Sequence, residues 1–218
     1  MKSYVELLED ALEQYVGPPV LRRIKSDPAN ALALWHELVD VTVFFSDIRS
    51  FSEATKGMSP SELAVELNNY LATACEILLR HDAYIDSLIG DEIFAVFGLS
   101  GAHHADASCR AALECLAAIA TLNKRPNAKV LFDVGIGINS GKAMVGNIGS
   151  RYKLKFTAIG DSVNLGARME GSTAQYGCKV ILTEYTKELL SKGFTTRELD
   201  TISVRGRAAP LAIYSLEG

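Results

Sequence analysis

Two aspartates stand out because of what surrounds them. Asp47 closes the run Val41-Thr42-Val43-Phe44-Phe45-Ser46, and Asp91 sits in Ile89-Gly90-Asp91 between two short apolar stretches. β-Branched and aromatic residues of this kind fit a buried strand, and the second segment reads as a tight hairpin turn. A sheet can therefore bring both carboxylates above one edge. Such a pair suits Mg²⁺, a hard cation usually held by one or two carboxylates, with waters and substrate phosphates completing its shell. Two such ions can clamp the attacking and departing oxygens of a phosphoryl transfer. The alternative is that each aspartate only caps its turn. Further along, Asn164 and Arg168 stand four apart in the segment 156–170, which on a helix puts an amide and a guanidinium on one face, one turn apart. The amide can fix a sugar and the guanidinium offers a planar fork to a phosphate oxygen. Here the alternative is a solvated pair.

Other chemistries find less support. Gly135-Ile-Gly137-Ile-Asn-Ser-Gly141-Lys142 lacks the spacing of a phosphate loop, and Ala143 stands where a Walker loop has its Mg²⁺-holding Ser or Thr. It reads instead as a hairpin, with strands at 130–138 and 143–148 around Asn139-Ser140-Gly141-Lys142. Cys75, Cys109, Cys115 and Cys178 form no C-x-x-C pair and are expected to be reduced packing residues. His36, His81, His103 and His104 lack zinc-ligand spacing, and His103-His104 read as the polar start of a helix. The 22 basic and 26 acidic residues leave a net charge of −4 without long like-charged blocks, so nucleic acid is not an expected partner. Apolar runs are too short to span a bilayer, and the acidic N-terminal decapeptide does not resemble a secretory signal. The expectation is a cytoplasmic protein with no membrane contact.

The elements that must position these residues follow from periodicity. Val5, Leu8, Leu12 and Val16 repeat at helical spacing until Gly17-Pro18-Pro19, and a short helix through Ile24 ends near Asp27-Pro28. Residues 1–38 are too few to hold a core and are expected to be a helical linker or dimerisation segment ahead of a catalytic domain at 39–218. Ser59-Pro60-Ser61-Glu62 supplies a cap, a first-turn proline and an acid for a helix over 63–79. Strands at 83–88 and 92–97, a helix at 105–122 and the hairpin come next. A helix at 162–174, a strand at 179–183, a short helix through Leu190 and strands near 201–205 and 211–216 complete the chain. The order is β-α-β-β-α-β, an α+β, ferredoxin-like core with extra C-terminal strands and helices. Helices are expected on one face of its sheet, leaving the other open to a ligand or partner.

On this frame the chain resembles the catalytic domain of the class III nucleotidyl cyclases. Phe44-Phe-Ser-Asp-Ile-Arg-Ser-Phe-Ser52, Ile89-Gly-Asp-Glu-Ile-Phe-Ala-Val-Phe-Gly98, Val134-Gly-Ile-Gly-Ile-Asn-Ser-Gly141, Gly146-Asn-Ile-Gly-Ser150 and the segment 156–170 match its motifs in order. The likeness covers about 39–216, and Tyr15-Val-Gly-Pro-Pro19 is similar to the linker that often precedes the domain in bacteria.

The resemblance implies that Asp47 and Asp91 hold two Mg²⁺ or Mn²⁺ ions per site, with Ile48 adding its backbone carbonyl. It implies that Asn164 orients the ribose and Arg168 stabilises charge on the α-phosphate. It also implies a head-to-tail homodimer in which one protomer supplies the metal carboxylates and its partner the Asn/Arg pair. Arg205 stands where family members usually carry a lysine for the terminal phosphates. The base-reading positions are Ser87 and Thr157. At the first of these, adenylate cyclases typically carry lysine and guanylate cyclases glutamate, so a serine excludes neither purine by charge. Thr157 and the lack of a glutamate favour ATP over GTP. The alternatives are a guanylate or dual-specificity cyclase, a diguanylate cyclase suggested by Gly90-Asp91-Glu92-Ile93-Phe94, and a catalytically silent dimerisation or nucleotide-sensing module.

Overall fold

The computed structural model describes residues 2–101, 103–204 and 210–218. The run beginning at Val41 belongs to a longer strand, β1 (Trp35–Ile48), preceded by two helices, α1 (Tyr4–Val16) and α2 (Pro18–Ser26). Every residue from Val41 to Ser46 is buried, because both faces of β1 are covered. A short helix α3 (Phe51–Ala54) leads to α4 (Pro60–Arg80), whose start is fixed by the expected capping box between Ser59 and Glu62. The hairpin β2 (Tyr84–Ile89) and β3 (Glu92–Phe97) turns at Gly90, which has a φ of +63° and so uses glycine's freedom in the left-handed region. Next come α5 (His104–Leu122), β4 (Val134–Ser150), β5 (Lys153–Ile159), α6 (Asp161–Ser172), β6 (Val180–Thr183), α7 (Glu184–Leu189), β7 (Thr195–Ile202) and β8 (Leu211–Glu217). Among the described residues, eight strands form one sheet in the order β2-β3-β1-β4-β6-β8-β7, with β5 added to β4. None of their helices is long and apolar enough to cross a membrane.

The α+β core is as expected, with three differences that matter for the site. First, β4 is one continuous strand, paired with β1 from Trp35↔Asn147 to Ile48↔Val134, where a hairpin around 139–142 was expected. Its turn-type residues are satisfied inside the protein. Asn139 donates to the Ser162 carbonyl (2.8 Å) and accepts from Thr183 (2.7 Å), while Ser140 shares a hydrogen bond with Thr42 (2.7 Å). Polar side chains with such partners cost little to bury. The actual turn lies at Arg151-Tyr152, between β4 and the unexpected strand β5.

Second, the face opposite α4 and α5 is not fully open. Phe44, Ile48, Ile136 and Ile138 pack with Tyr70, Ala74, Ile77 and the small face of α5 at Cys109, Ala112 and Cys115. On the other side Val43 and Phe45 meet α6, which approaches β4 so closely that a Cβ on Gly137 would stand 2.1 Å from the Glu170 backbone nitrogen. Strand β1 is apolar on both sides and needs both covers. Burying each such side chain is worth roughly 1.5–3 kcal/mol. Third, β5 pairs with the edge of β4 away from β1 yet reaches β2. The Tyr84 hydroxyl donates to the Phe156 carbonyl (2.9 Å), and the Ala158 amide donates to Asp86 (3.3 Å). The β4–β5 end of the sheet therefore curls over the face formed by β2 and β3.

The four cysteines are free thiols, with Cys109 and Cys115 buried as expected. His104 opens α5, with His103 as its N-cap. Helix α1 buries none of its residues, and Tyr4, Val5, Leu7, Leu8 and Tyr15 are exposed on it.

Candidate active site

The two aspartates do meet. Ser46 of β1 pairs with Ile93 of β3, so Asp47, one step further, lies beside the β2–β3 turn that carries Asp91. The Ile48 amide donates to the Asp91 carboxylate at 3.2 Å, tying the strand end to the turn. Burial, then a hydrogen bond and repulsion from Asp91, push the Asp47 carboxyl up to about 6. Glu92 is raised by burial and by Asp91, and Glu170, from the far end of α6, is pushed up to about 7 by burial and then by Asp47 and Glu92. Burial and mutual repulsion thus raise the proton affinity of Asp47, Glu92 and Glu170 around Asp91. Arg49 acts against this on Glu170, but its guanidinium also donates to the Cys178 carbonyl and pairs with Asp133 at 3.6 Å.

Carboxylates held this close accumulate a negative potential that a divalent cation would relieve. Among the described residues, no group of three or more His, Cys, Asp or Glu forms a closed metal shell. What the protein offers is two carboxylates with open positions, the donor set of Mg²⁺ or Mn²⁺ rather than of a structural zinc. The residues present therefore fit such an ion.

Asn164 and Arg168 share the outer face of α6, where both are exposed, while Val163, Leu165, Gly166 and Met169 are buried beneath them. Helix α6 thus presents Glu170 to the carboxylates and the Asn/Arg pair to solvent. Among the described residues, no hydrogen bond or ion pair joins the Asn164 or Arg168 side chain to Asp47 or Asp91.

The expected base-reading positions come together through the curl of the sheet. Ser87 lies next to a bulge in β2 and its hydroxyl donates to the Asp86 carboxylate at 3.1 Å. Thr157 is buried on β5 between Phe156 and Ala158, whose backbone groups bond to Tyr84 and Asp86. Ser87 also lines an open cleft of about 740 Å³ between β2 and the residues around Gly17. Arg205 lies outside the described residues.

Sequence reasoning passed over Glu92, Glu170, Asp86 and Lys155. Glu92 follows the metal-type aspartate directly, and Glu170 lies on α6 two residues past Arg168, so their positions were open to notice. Asp86 and Lys155 carry opposite charges next to Ser87 and Thr157, but only the curl reveals that they pair.

Comparison with known proteins identifies the family of the domain. The family model "Adenylate and Guanylate cyclase catalytic domain" matches residues 35–218. Adenylate cyclase 1 of Rhizobium meliloti (strain 1021) is 32% identical over 209 residues, 94% of this chain and 31% of that protein. Guanylate cyclase 2G of Rattus norvegicus is 26% identical over 205 residues, 93% of this chain and 18% of that protein. A solved bacterial light-regulated adenylyl cyclase superposes with a TM-score of 0.85 at 26% identity, covering 97% of this chain and 61% of that one. The chain spans less than a third of the length of either of these two curated relatives.

Proposed function

This chain belongs to the adenylate and guanylate cyclase catalytic-domain family, and we propose that it converts ATP to 3′,5′-cyclic AMP and pyrophosphate for signalling in the cytoplasm. The observation that carries the proposal is the Asp47–Asp91 pair, tied together at the strand end with the Asp47 carboxyl pushed up to about 6, while Asn164 and Arg168 stand exposed on α6. Two half-sites on different surfaces of one chain suit a head-to-tail homodimer, in which each protomer completes its partner's site. The exposed apolar side chains of α1 suit residues 1–38 as a segment joining the two copies.

In this site Asp47 and Asp91, with the Ile48 carbonyl, would hold two Mg²⁺ or Mn²⁺ ions. Bound there, such ions supply Lewis-acid assistance to the ribose 3′-hydroxyl and neutralise the departing pyrophosphate. The side chains do the rest. The Asn164 amide fixes the ribose so that its 3′-oxygen faces the α-phosphorus. The Arg168 fork stabilises charge on the α-phosphate oxygens as the new bond forms, a contribution of about 3–4 kcal/mol for a preorganised donor. Arg205 would reach the terminal phosphates. Ser87 and Thr157 meet the purine edge, and Thr157 with the lack of a glutamate at position 87 supports ATP as the preferred substrate.

The direct test measures cyclic AMP and cyclic GMP formed side by side from ATP and GTP with Mg²⁺ and with Mn²⁺. Cyclic AMP in excess is the expected outcome. Formation of neither product by dimeric protein would leave a nucleotide-sensing module instead, and an excess of cyclic GMP would reverse the base assignment.

A further inference from the structure

The purine pocket of the proposed reading lacks a cation at position 87, yet the structure supplies one to the same place from another strand. The Asp86 side chain is fully buried and is satisfied from three directions. Lys155 pairs with one carboxylate oxygen, the Ser87 hydroxyl donates to the same oxygen at 3.1 Å, and the Ala158 amide donates to the other at 3.3 Å. A buried carboxylate requires such partners. Their arrangement also decides what remains for a ligand. Ser87 has spent its only proton on Asp86, so its oxygen faces outward as an acceptor. Lys155 is about half exposed (47%), and an ammonium has three donors. It lies two residues before Thr157 on β5 and so shares that residue's side of the strand.

We propose that Lys155 is the specificity-determining residue of this pocket, supplying from β5 the ammonium that position 87 does not. Adenine presents an acceptor, N1, beside a donor, the N6 amino group. Lys155 donates to N1, while the lone pairs of Ser87 or Thr157 accept from N6. Guanine carries a hydrogen on N1, so a donor would face the cation and one of the two contacts is lost. A site built to pair with one polar edge rejects a ligand that leaves it unpaired. Asp86 acts as a positioning residue, holding the ammonium against Ser87 instead of letting it range in solvent.

This inference rests on the cyclase reading, and the experiment separates the two. The ratio of kcat/KM for ATP to that for GTP is measured for wild type, Lys155→Met, and Lys155→Met combined with Ser87→Lys. Displacement of a fluorescent ATP analogue by ATP and by GTP, measured on the same proteins, reads the pocket without turnover. The single variant is expected to lose at least tenfold in the ATP-to-GTP ratio by both measures. The double variant, which returns a lysine to position 87 beside the same carboxylate, is expected to recover most of that loss. If removing Lys155 leaves Asp86 unpaired and the protein unfolded, Lys155→Met combined with Asp86→Asn removes the buried charge as well, and the ratio should fall equally. A lysine that merely neutralises Asp86 would lower stability and weaken both nucleotides alike, leaving the ratio unchanged and overturning the inference. Wild-type protein that forms no cyclic nucleotide would defeat the cyclase reading alone, because the displacement ratios still test Lys155.

Discussion

Helix α6 crosses β4 in close backbone contact, and replacing Gly137 with alanine tests what that closeness does. The new Cβ would stand 2.1 Å from the Glu170 nitrogen and 2.4 Å from the Gly166 carbonyl oxygen. Both are backbone atoms, which cannot rotate away as a side chain can, so α6 must lift by about 1.4 Å to restore contacts near 3.5 Å. Overpacking of this kind costs about 1–3 kcal/mol. In a domain of this size each kcal/mol moves Tm by about 2–4 °C, so a fall of about 2–12 °C is expected. The same helix carries Asn164 and Arg168, and a misplacement of about 1 Å can cost on the order of 100-fold in turnover. Gly171 provides the control. A Cβ there meets nothing within 4 Å, and alanine in a helix is favoured over glycine by about 1 kcal/mol. Thermal melting by circular dichroism and cyclic-nucleotide production are measured on both variants. Gly171→Ala should melt slightly higher with turnover intact, and Gly137→Ala should lose in both. A Gly137→Ala protein matching wild type in Tm and turnover would show that α6 is not held by this contact. Equal damage from Gly171→Ala would show that the helix tolerates no change of any kind.

Two further outcomes concern the carboxylates and the assembly. A carboxyl whose pKa is raised in the folded state favours folding at low pH, and that benefit is lost as pH rises through about 6 for Asp47 and about 7 for Glu170. In the presence of a chelator, the Tm of wild type relative to Asp47→Asn should therefore fall between about pH 4 and about pH 6. Added Mg²⁺ should raise the wild-type Tm more at about pH 8 than at about pH 5, since it binds the ionised acids; a pH-independent difference would reject the shifted titration. If protomers share sites, mixing inactive Asp47→Ala with inactive Arg168→Ala should restore activity, because one of the two sites in each heterodimer is undamaged. No recovery despite demonstrated subunit exchange would confine each site to a single chain.

What the sequence made legible is what depends on neighbours along the chain. The cap of α4 was readable because Ser59 and Glu62 lie three residues apart and satisfy each other's backbone groups. The turn carrying Asp91 was readable from Gly90, and the shared face of Asn164 and Arg168 from their spacing. The misread hairpin shows the limit. Asn139, Ser140 and Gly141 are turn formers by local preference, but their preference is overridden by Thr183, Ser162 and Thr42, which come from other parts of the chain. Strand β5 was missed although Leu154, Phe156 and Ala158 alternate with more polar neighbours.

The same distinction runs through the site. Each candidate metal or transition-state residue could be picked from its own short motif, since the role proposed for it rests on side-chain chemistry at one position. Lys155 could not, because its significance is a relation between two strands far apart in sequence. That relation exists only because the long β1–β4 arm curls far enough to lay β5 against β2. Position 87 read alone suggested a purine pocket without a cation. Positions 86, 87, 155 and 157 read together give a buried carboxylate that fixes one ammonium and orients one hydroxyl. On the proposed reading, selectivity for the base is a property of the curl, and a change that flattens it should weaken ATP preference even with all four side chains retained.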